Sequence, residues 1–298
     1  MKQLNKNFFD IHADDYSLSD CSDNDIITLC KNEKLNSISI LPNLDIFESS
    51  VKKFLEAKKG FYQDVKTYIH LNVLEGKSIC SFGDLPDLVD YEGYFKISWF
   101  NLFIWNYIPP IRQKIKEQLT KEITAQINKC IQSKIVNKDA LRITSNHHVH
   151  MIPVFFEALE DSINQNNFKV EYIRNTYDPL LIYIFSKEGL KYFSLKNFIK
   201  CHILNIYSKK VSRYILRNRL KDSYVMGIYL NGKMEESIST FIPDFEDYAA
   251  EDNRICEILF HPGLMYNTEL TKEFKKIGFN NFHLSSNRKV EFNTCNRL

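Results

Sequence analysis

The chain has 298 residues, with 39 Lys and Arg against 37 Asp and Glu, for a formal net charge of +2. That balance excludes a generally basic nucleic-acid binder and an acidic solvating tail. With 44% hydrophobic residues, 26% charged residues, 9 Gly and 8 Pro, the chain is neither largely disordered nor a Gly/Pro-rich repeat, and it can bury a large core without staples.

Taken in chain order, residues 7–13 read as a short strand running into Asp14 and Asp15. Residues 20–30 read as a helix, 35–41 as a strand, 44–55 as a helix and 65–71 as a strand that contains His70. Residues 74–112 form a long aromatic-rich connection. A helix follows over 119–133, where Leu119, Ile123, Ile127 and Ile131 stack at i, i+4. Residues 141–150 read as a strand, 154–163 as a helix and 168–173 as a strand. Strands at 224–230 and 255–260 close the series. Residues 175–223 are the least regular, and the basic run within 208–222 reads as a solvated helix face. Strands alternating with helices imply a mainly parallel sheet. About seven parallel strands in a chain of this length predict a TIM-like βα barrel with inserted connections. The chain 1–298 then reads as one unit, with an insertion at 175–223.

The seven Cys show no C-x-x-C spacing, which argues against a disulfide framework and a Cys-type zinc site. Scattered thiols fit a reducing, cytoplasmic setting, and residues 1–9 lack the apolar core of a secretory signal. The most apolar stretch, 97–111, is broken by Asn101, Asn106, Pro109 and Pro110 and falls short of the ~20 residues of a membrane span. No G-x-G-x-x-G or G-x-x-x-x-G-K-[ST] loop occurs, so nucleotide binding through either is disfavoured.

In a parallel βα barrel, chemistry gathers at the C-terminal strand ends. Six of the eight His lie there, as His12, His70, His147, His148, His150 and His261. Each element has a structural alternative. Asp15 is a candidate helix cap, His70 a candidate core imidazole, and His261-Pro262-Gly263 a candidate turn. Strand alternation would put Asn146, His148 and His150 on one face and His147 on the other. Carboxylates and imidazoles together at neighbouring strand ends suggest a divalent metal site that activates water.

Several ordered pieces resemble the YdjC-like (ChbG-type) carbohydrate deacetylase family: IHADDYSLS near the start, YIHLNVLEGKSI, SNHHVHMIPVFFEAL, CEILFHPG and the closing FHLSSNRKVEFNTC. The resemblance implies a metal-dependent hydrolase that removes acetyl groups from N-acetylated sugars or oligosaccharides, with Mg²⁺ or Zn²⁺ as cofactor. Carried over, Asp14 matches the general base and His261 the late His near the substrate. Asp15 and His70 match metal ligands, with Asn146 or His148 completing the set. Arg174 and His150 are placed near the substrate. The family motif has His where this chain has Asn146, and Thr144 replaces the usual Asp. Asn146 could hold a hard cation through its amide oxygen, His148 could take over, or the site could bind metal poorly. The last case leaves a non-catalytic carbohydrate-binding barrel as the alternative. Partners on this reading are the sugar substrate, no nucleic acid and no membrane span, and the aromatic-rich connection leaves a homodimer open.

Overall fold

The computed structural model describes residues 9–274 and 277–298. In order, the elements are β1 (Phe9–Tyr16), α1 (Asp20–Lys31), β2 (Ser37–Ile40), α2 (Phe47–Lys58), β3 (Lys66–Leu71), α3 (Trp99–Trp105), α4 (Pro109–Gln132), β4 (Leu141–Ser145), α5 (Pro153–Asn166), β5 (Val170–Ile173), α6 (Leu180–Ile184), α7 (Lys187–Lys191), α8 (Leu195–Arg217), β6 (Ser223–Met226), α9 (Ile242–Glu251), β7 (Ile255–Phe260), α10 (Ile277–His283) and α11 (Asn287–Arg297).

The seven strands form one all-parallel sheet in the order β5-β4-β3-β2-β1-β7-β6. The expected TIM-like barrel is corrected here, because the ladder does not close and β5 and β6 are its edges. Beyond β5 the seam is crossed where Tyr177 bridges Tyr224 and Val225 N–H donates to the Tyr177 carbonyl at 2.9 Å. The sheet still curls strongly. Tyr172 of β5 hydrogen-bonds Glu257 of β7 at 3.0 Å, and Arg174 beyond β5 reaches Asp14 of β1. Those strands are far apart in the ladder, so only curvature brings them together.

Period-2 alternation explains the two faces. Ile11, Ala13, Ile38, Ile40, Ile69, Leu71, Ile143, Ile173, Ile258 and Phe260 belong to the large apolar core with the helices. Asp10, His12, Asp14, Ser37, Ser39, Tyr68, His70 and Glu257 alternate with them and are buried; the first seven are hydrogen-bonded to one another, and Glu257 accepts from Tyr172 and pairs with Arg174.

Several element boundaries differ from the sequence reading. Pro109 and Pro110 open α4 rather than break a helix, since the first turn needs no N–H donor. The 175–223 segment is mostly helical, and α8 alone has 23 residues. Part of its basic run docks it on α5, where Lys210 pairs with Glu157 and Arg217 with Glu160. The strand expected over 224–230 stops at Met226. Gly227 follows at φ +140, and a Cβ there would stand 3.0 Å from the Leu259 carbonyl oxygen. Among the described residues, no helix is long and apolar enough to cross a membrane.

Candidate active site

A cavity of about 670 Å³ opens at the C-terminal strand ends, and its wall includes Asp14, Asp15, His70, Asn146, His148 and His261. Both carboxylates belong to β1, which continues past the expected end at Ala13 to Tyr16. Its register with β2 shifts between Ala13 and Tyr16, and Asp15 adopts φ +67. This irregularity lets consecutive Asp side chains face one cavity, where regular alternation would send one away. Asp15 does not cap α1. Ser19 does, accepting from the Ser22 N–H.

Asp14 is almost fully buried. Its Oδ1 receives Ser39 Oγ at 2.5 Å, Arg174 Nη2 at 2.9 Å and His12 Nε2 at 3.1 Å. Its Oδ2 receives Arg174 Nη1 at 2.8 Å and lies 3.9 Å from His261 Nε2. Burial alone would raise this carboxyl, but the Arg174 guanidinium, helped by His70 and His12, holds it well below the usual carboxylate range. Asp15 is also held low. Burial is the largest single influence there and would raise it, but Arg288, donating from Nη1 at 3.0 Å, outweighs burial together with His261 and His70.

His70 Nε2 lies 3.6 Å from Asp15 Oδ1. Ser39 spends its proton on Asp14, so its oxygen accepts from His70 Nδ1 at 3.0 Å. That leaves the Nε2 lone pair free to ligate. Burial pushes His70 down to about 4 despite both carboxylates, so the ring is neutral, as a metal ligand must be. Two ligand atoms about 2.1 Å from one tetrahedral or octahedral ion lie roughly 3.0–3.4 Å apart, close to the spacing seen here.

Residues 146–150 depart from the expected strand. β4 ends at Ser145, and Asn146–Met151 form a 3₁₀ turn with His147 at φ +50 and His148 at φ +58. Ser145 Oγ closes it, accepting the His150 N–H at 2.9 Å. Face alternation therefore does not apply, and His147 and His148 both line the cavity. Both are held well below the usual range, by burial first and Lys200 second. Asn146 Nδ2 donates to Glu75 Oε2 at 3.2 Å and Asn72 Oδ1 at 3.3 Å. A carboxylate needs donors, which orients the amide and leaves its oxygen as the remaining ligand atom.

The family model for YdjC-like proteins matches residues 10–297. The chain belongs to the YdjC-like family. A carbohydrate deacetylase of Clostridium beijerinckii (strain ATCC 51743 / NCIMB 8052) is 25% identical over 164 residues, covering 55% of this chain and 59% of that relative. The chain thus matches less than two thirds of that relative's length. A crystal structure of a proposed cellobiose-phosphate cleavage protein from Enterococcus faecalis V583 aligns over 97% of this chain and 94% of that one, at TM-score 0.59 and 16% identity. That likeness concerns the fold.

In this YdjC-like chain, Asp14, Asp15, His70, Asn146, His148 and His261 share one cavity, while Arg174 and His150 lie outside its lining. Arg174 is fully buried between Asp14 and Glu257, at 2.8 and 2.5 Å. His150 is enclosed by Ser145 Oγ at 2.5 Å and the Arg174 carbonyl at 2.8 Å. Further residues to which the sequence alone assigns no role pack around these side chains. Glu75 holds Asn146 and His283, Arg288 holds Asp15, and Glu291 sits 3.7 Å from His261 Nδ1. Their signal was present in the H-x-N-x-x-E and R-x-x-E spacings. Gly263 serves this arrangement too. At φ +97, a Cβ there would meet Ser22 Cα at 2.7 Å, and its carbonyl accepts from Arg288 Nε at 2.7 Å.

Proposed function

We propose that this chain is a metal-dependent hydrolase removing acetyl groups from N-acetylated sugars or oligosaccharides, working in the cytoplasm as one unit over 1–298 with 175–223 inserted. The observation that carries this reading is that Asp14, a second carboxylate in Asp15 and the His70 imidazole meet on one cavity wall. A relative named as a carbohydrate deacetylase gives it a substrate class.

Asp15, His70 Nε2 and the Asn146 amide oxygen would hold the cation, with His148 the other candidate. When bound, a Mg²⁺ or Zn²⁺ ion polarises the acetyl carbonyl and makes water more acidic. Asp14 Oδ2 takes the proton from the attacking water, since Oδ1 is already loaded with donors. His261 returns a proton to the leaving amine. Burial opposes its charge, but Glu291, Asp15 and Asp14 outweigh that and raise it, so the ring holds the proton it must give. Trp99, Phe100 and Phe282 line the cavity and offer faces for a sugar ring. Arg174 and His150 hold Asp14 and the 146–151 turn rather than touch substrate.

The test is acetate release from a panel of N-acetylated oligosaccharides with divalent metals. The metal-loaded protein should release acetate, and Asp14→Asn should lower the rate by about 10²–10⁴. If the natural protein releases none while Asn146→His does, the active-enzyme reading fails. A carbohydrate-binding barrel with a degraded metal site then stands. The amide of Asn146, a weaker ligand for zinc than the imidazole of the family motif, is the feature that favours this second reading.

A further inference from the structure

We propose that His12, backed by Asp10, is a positioning residue that presents Asp14 to the cavity and, together with Ser39, loads Oδ1 so that Oδ2 is left as the proton-accepting oxygen. The inference rests on the reading of Asp14 as general base.

His12 has no exposed surface, and Asp10 is 6% exposed. A hydrogen-bonded row runs down the inner face of the sheet from the base. His12 Nε2 meets Asp14 Oδ1 at 3.1 Å, and His12 Nδ1 meets Ser37 Oγ at 2.6 Å. Ser37 donates to Asp10 Oδ1 at 2.6 Å, and Tyr68 OH donates to Asp10 Oδ2 at 2.6 Å. Arg142 Nη1 donates to Tyr68 OH at 3.0 Å and its Nη2 pairs with half-exposed Glu171 at 2.6 Å. Ser37 has one hydroxyl proton, spent on Asp10, so its oxygen accepts from His12 Nδ1. Nε2 faces a carboxylate that can only accept, so His12 is the donor in its contact with Asp14 Oδ1.

The consequence for Asp14 is asymmetry. Oδ1 carries three donors, from Ser39, His12 and Arg174, while Oδ2 carries Arg174 alone. A loaded oxygen is a poorer proton acceptor, so basicity is left on Oδ2, the oxygen nearer His261. Arg174 grips both oxygens and cannot create this difference. Buried polar groups on strand positions where apolar side chains would pack more cheaply call for a reason, and this asymmetry supplies one. The ligand atoms of Asp10, His12 and Glu257 also lie within 4.8 Å of one another. A cation there would compete with Ser37, Tyr68, Tyr172 and Arg174 for every one of them.

The experiment compares His12→Ala with His12→Gln, whose amide nitrogen can donate at the reach of Nε2. Removing the partner should lower kcat about 10–100-fold with KM within about twofold, and glutamine should restore most of the loss. Metal content and melting temperature should not follow kcat. Equal losses in both variants, or a loss confined to KM, would overturn the proposal. If the alanine variant does not fold, His12→Asn, polar but too short to reach Asp14, takes its place. Crystal structures give a readout independent of turnover. Asp14 should swing away from its present contacts without His12 and keep them with glutamine. An unmoved Asp14 would overturn the proposal even if the natural protein releases no acetate. A moved Asp14 in a protein without deacetylase activity would sink the deacetylase reading alone.

Discussion

His261 lies between two carboxylates, 3.9 Å from Asp14 and 3.7 Å from Glu291. Burial opposes its charge, and Glu291 is the largest of the groups that outweigh burial. On the proposed mechanism His261 is an acid that works only while protonated, so kcat/KM should fall on the alkaline side as pH rises through its raised value. Glu291→Gln removes part of that support and should move the alkaline limb to lower pH, as a pH profile of kcat/KM would show. An unmoved limb would assign it to another group. The sequence placed His261 near the substrate but gave Glu291 no role, because 30 residues separate them and only the docking of α11 beside β7 joins them. Asn146 is similar. Its substitution for a family His was legible in the sequence, while the capture of its amide by Glu75 was not.

Strand β4 shows where local pattern fails at the level of an element. Residues 141–150 alternate well enough to read as one strand, yet the last five turn out of it. The turn depends on Ser145, whose Oγ accepts the His150 N–H and contacts the His150 ring. Ser145→Ala leaves these buried groups without their partner and should cost about 1–3 kcal/mol, read as a lower urea midpoint with an unchanged slope. A neutral result would show that packing alone sets the turn. By contrast, α4 and α5 were legible because their apolar residues recur at helical spacing over many turns. Only the start of α4 was missed, where two Pro at the first turn looked like breakers.

At the scale of the whole molecule, burial sets protons against folding. His70 and His150 are pushed down to about 4 and about 3, and His147 and His148 are also well below their usual range. The unfolded chain takes up these protons below about pH 6.5, so the four imidazoles cost stability as pH falls. Burial pushes Asp23, Asp178 and Glu273 up to about 7. The folded protein keeps those protons while the unfolded chain loses them, so these groups favour folding as pH falls toward 4. The imidazoles outnumber them, and the net expectation is a gentle loss from pH 7 to 5. Below the usual carboxylate value of about 3.8 the unfolded chain also takes up protons that Asp14 and Asp15, held low in the fold, do not, and the loss should steepen. Urea midpoints across pH 3–7 check this. A higher midpoint at pH 5 than at pH 7 would contradict it.

The sequence by itself determined the strand and helix alternation, the parallel sheet and the gathering of Asp and His at strand ends. Those follow from side-chain period and from chemistry local to short segments. The tertiary structure alone decided that the sheet curls without closing. It also decided that consecutive Asp14 and Asp15 face one cavity, that Arg174 and His150 brace the site from outside its lining, and that a polar row from His12 lies behind Asp14. These depend on a bulge, a 3₁₀ turn and contacts between residues far apart in the chain, such as Arg174 with Asp14, 160 positions away, and Arg288 with Asp15, 273 positions away. No period in the chain encodes them, because they arise only when distant segments meet in a buried space that leaves their polar groups no partners but one another.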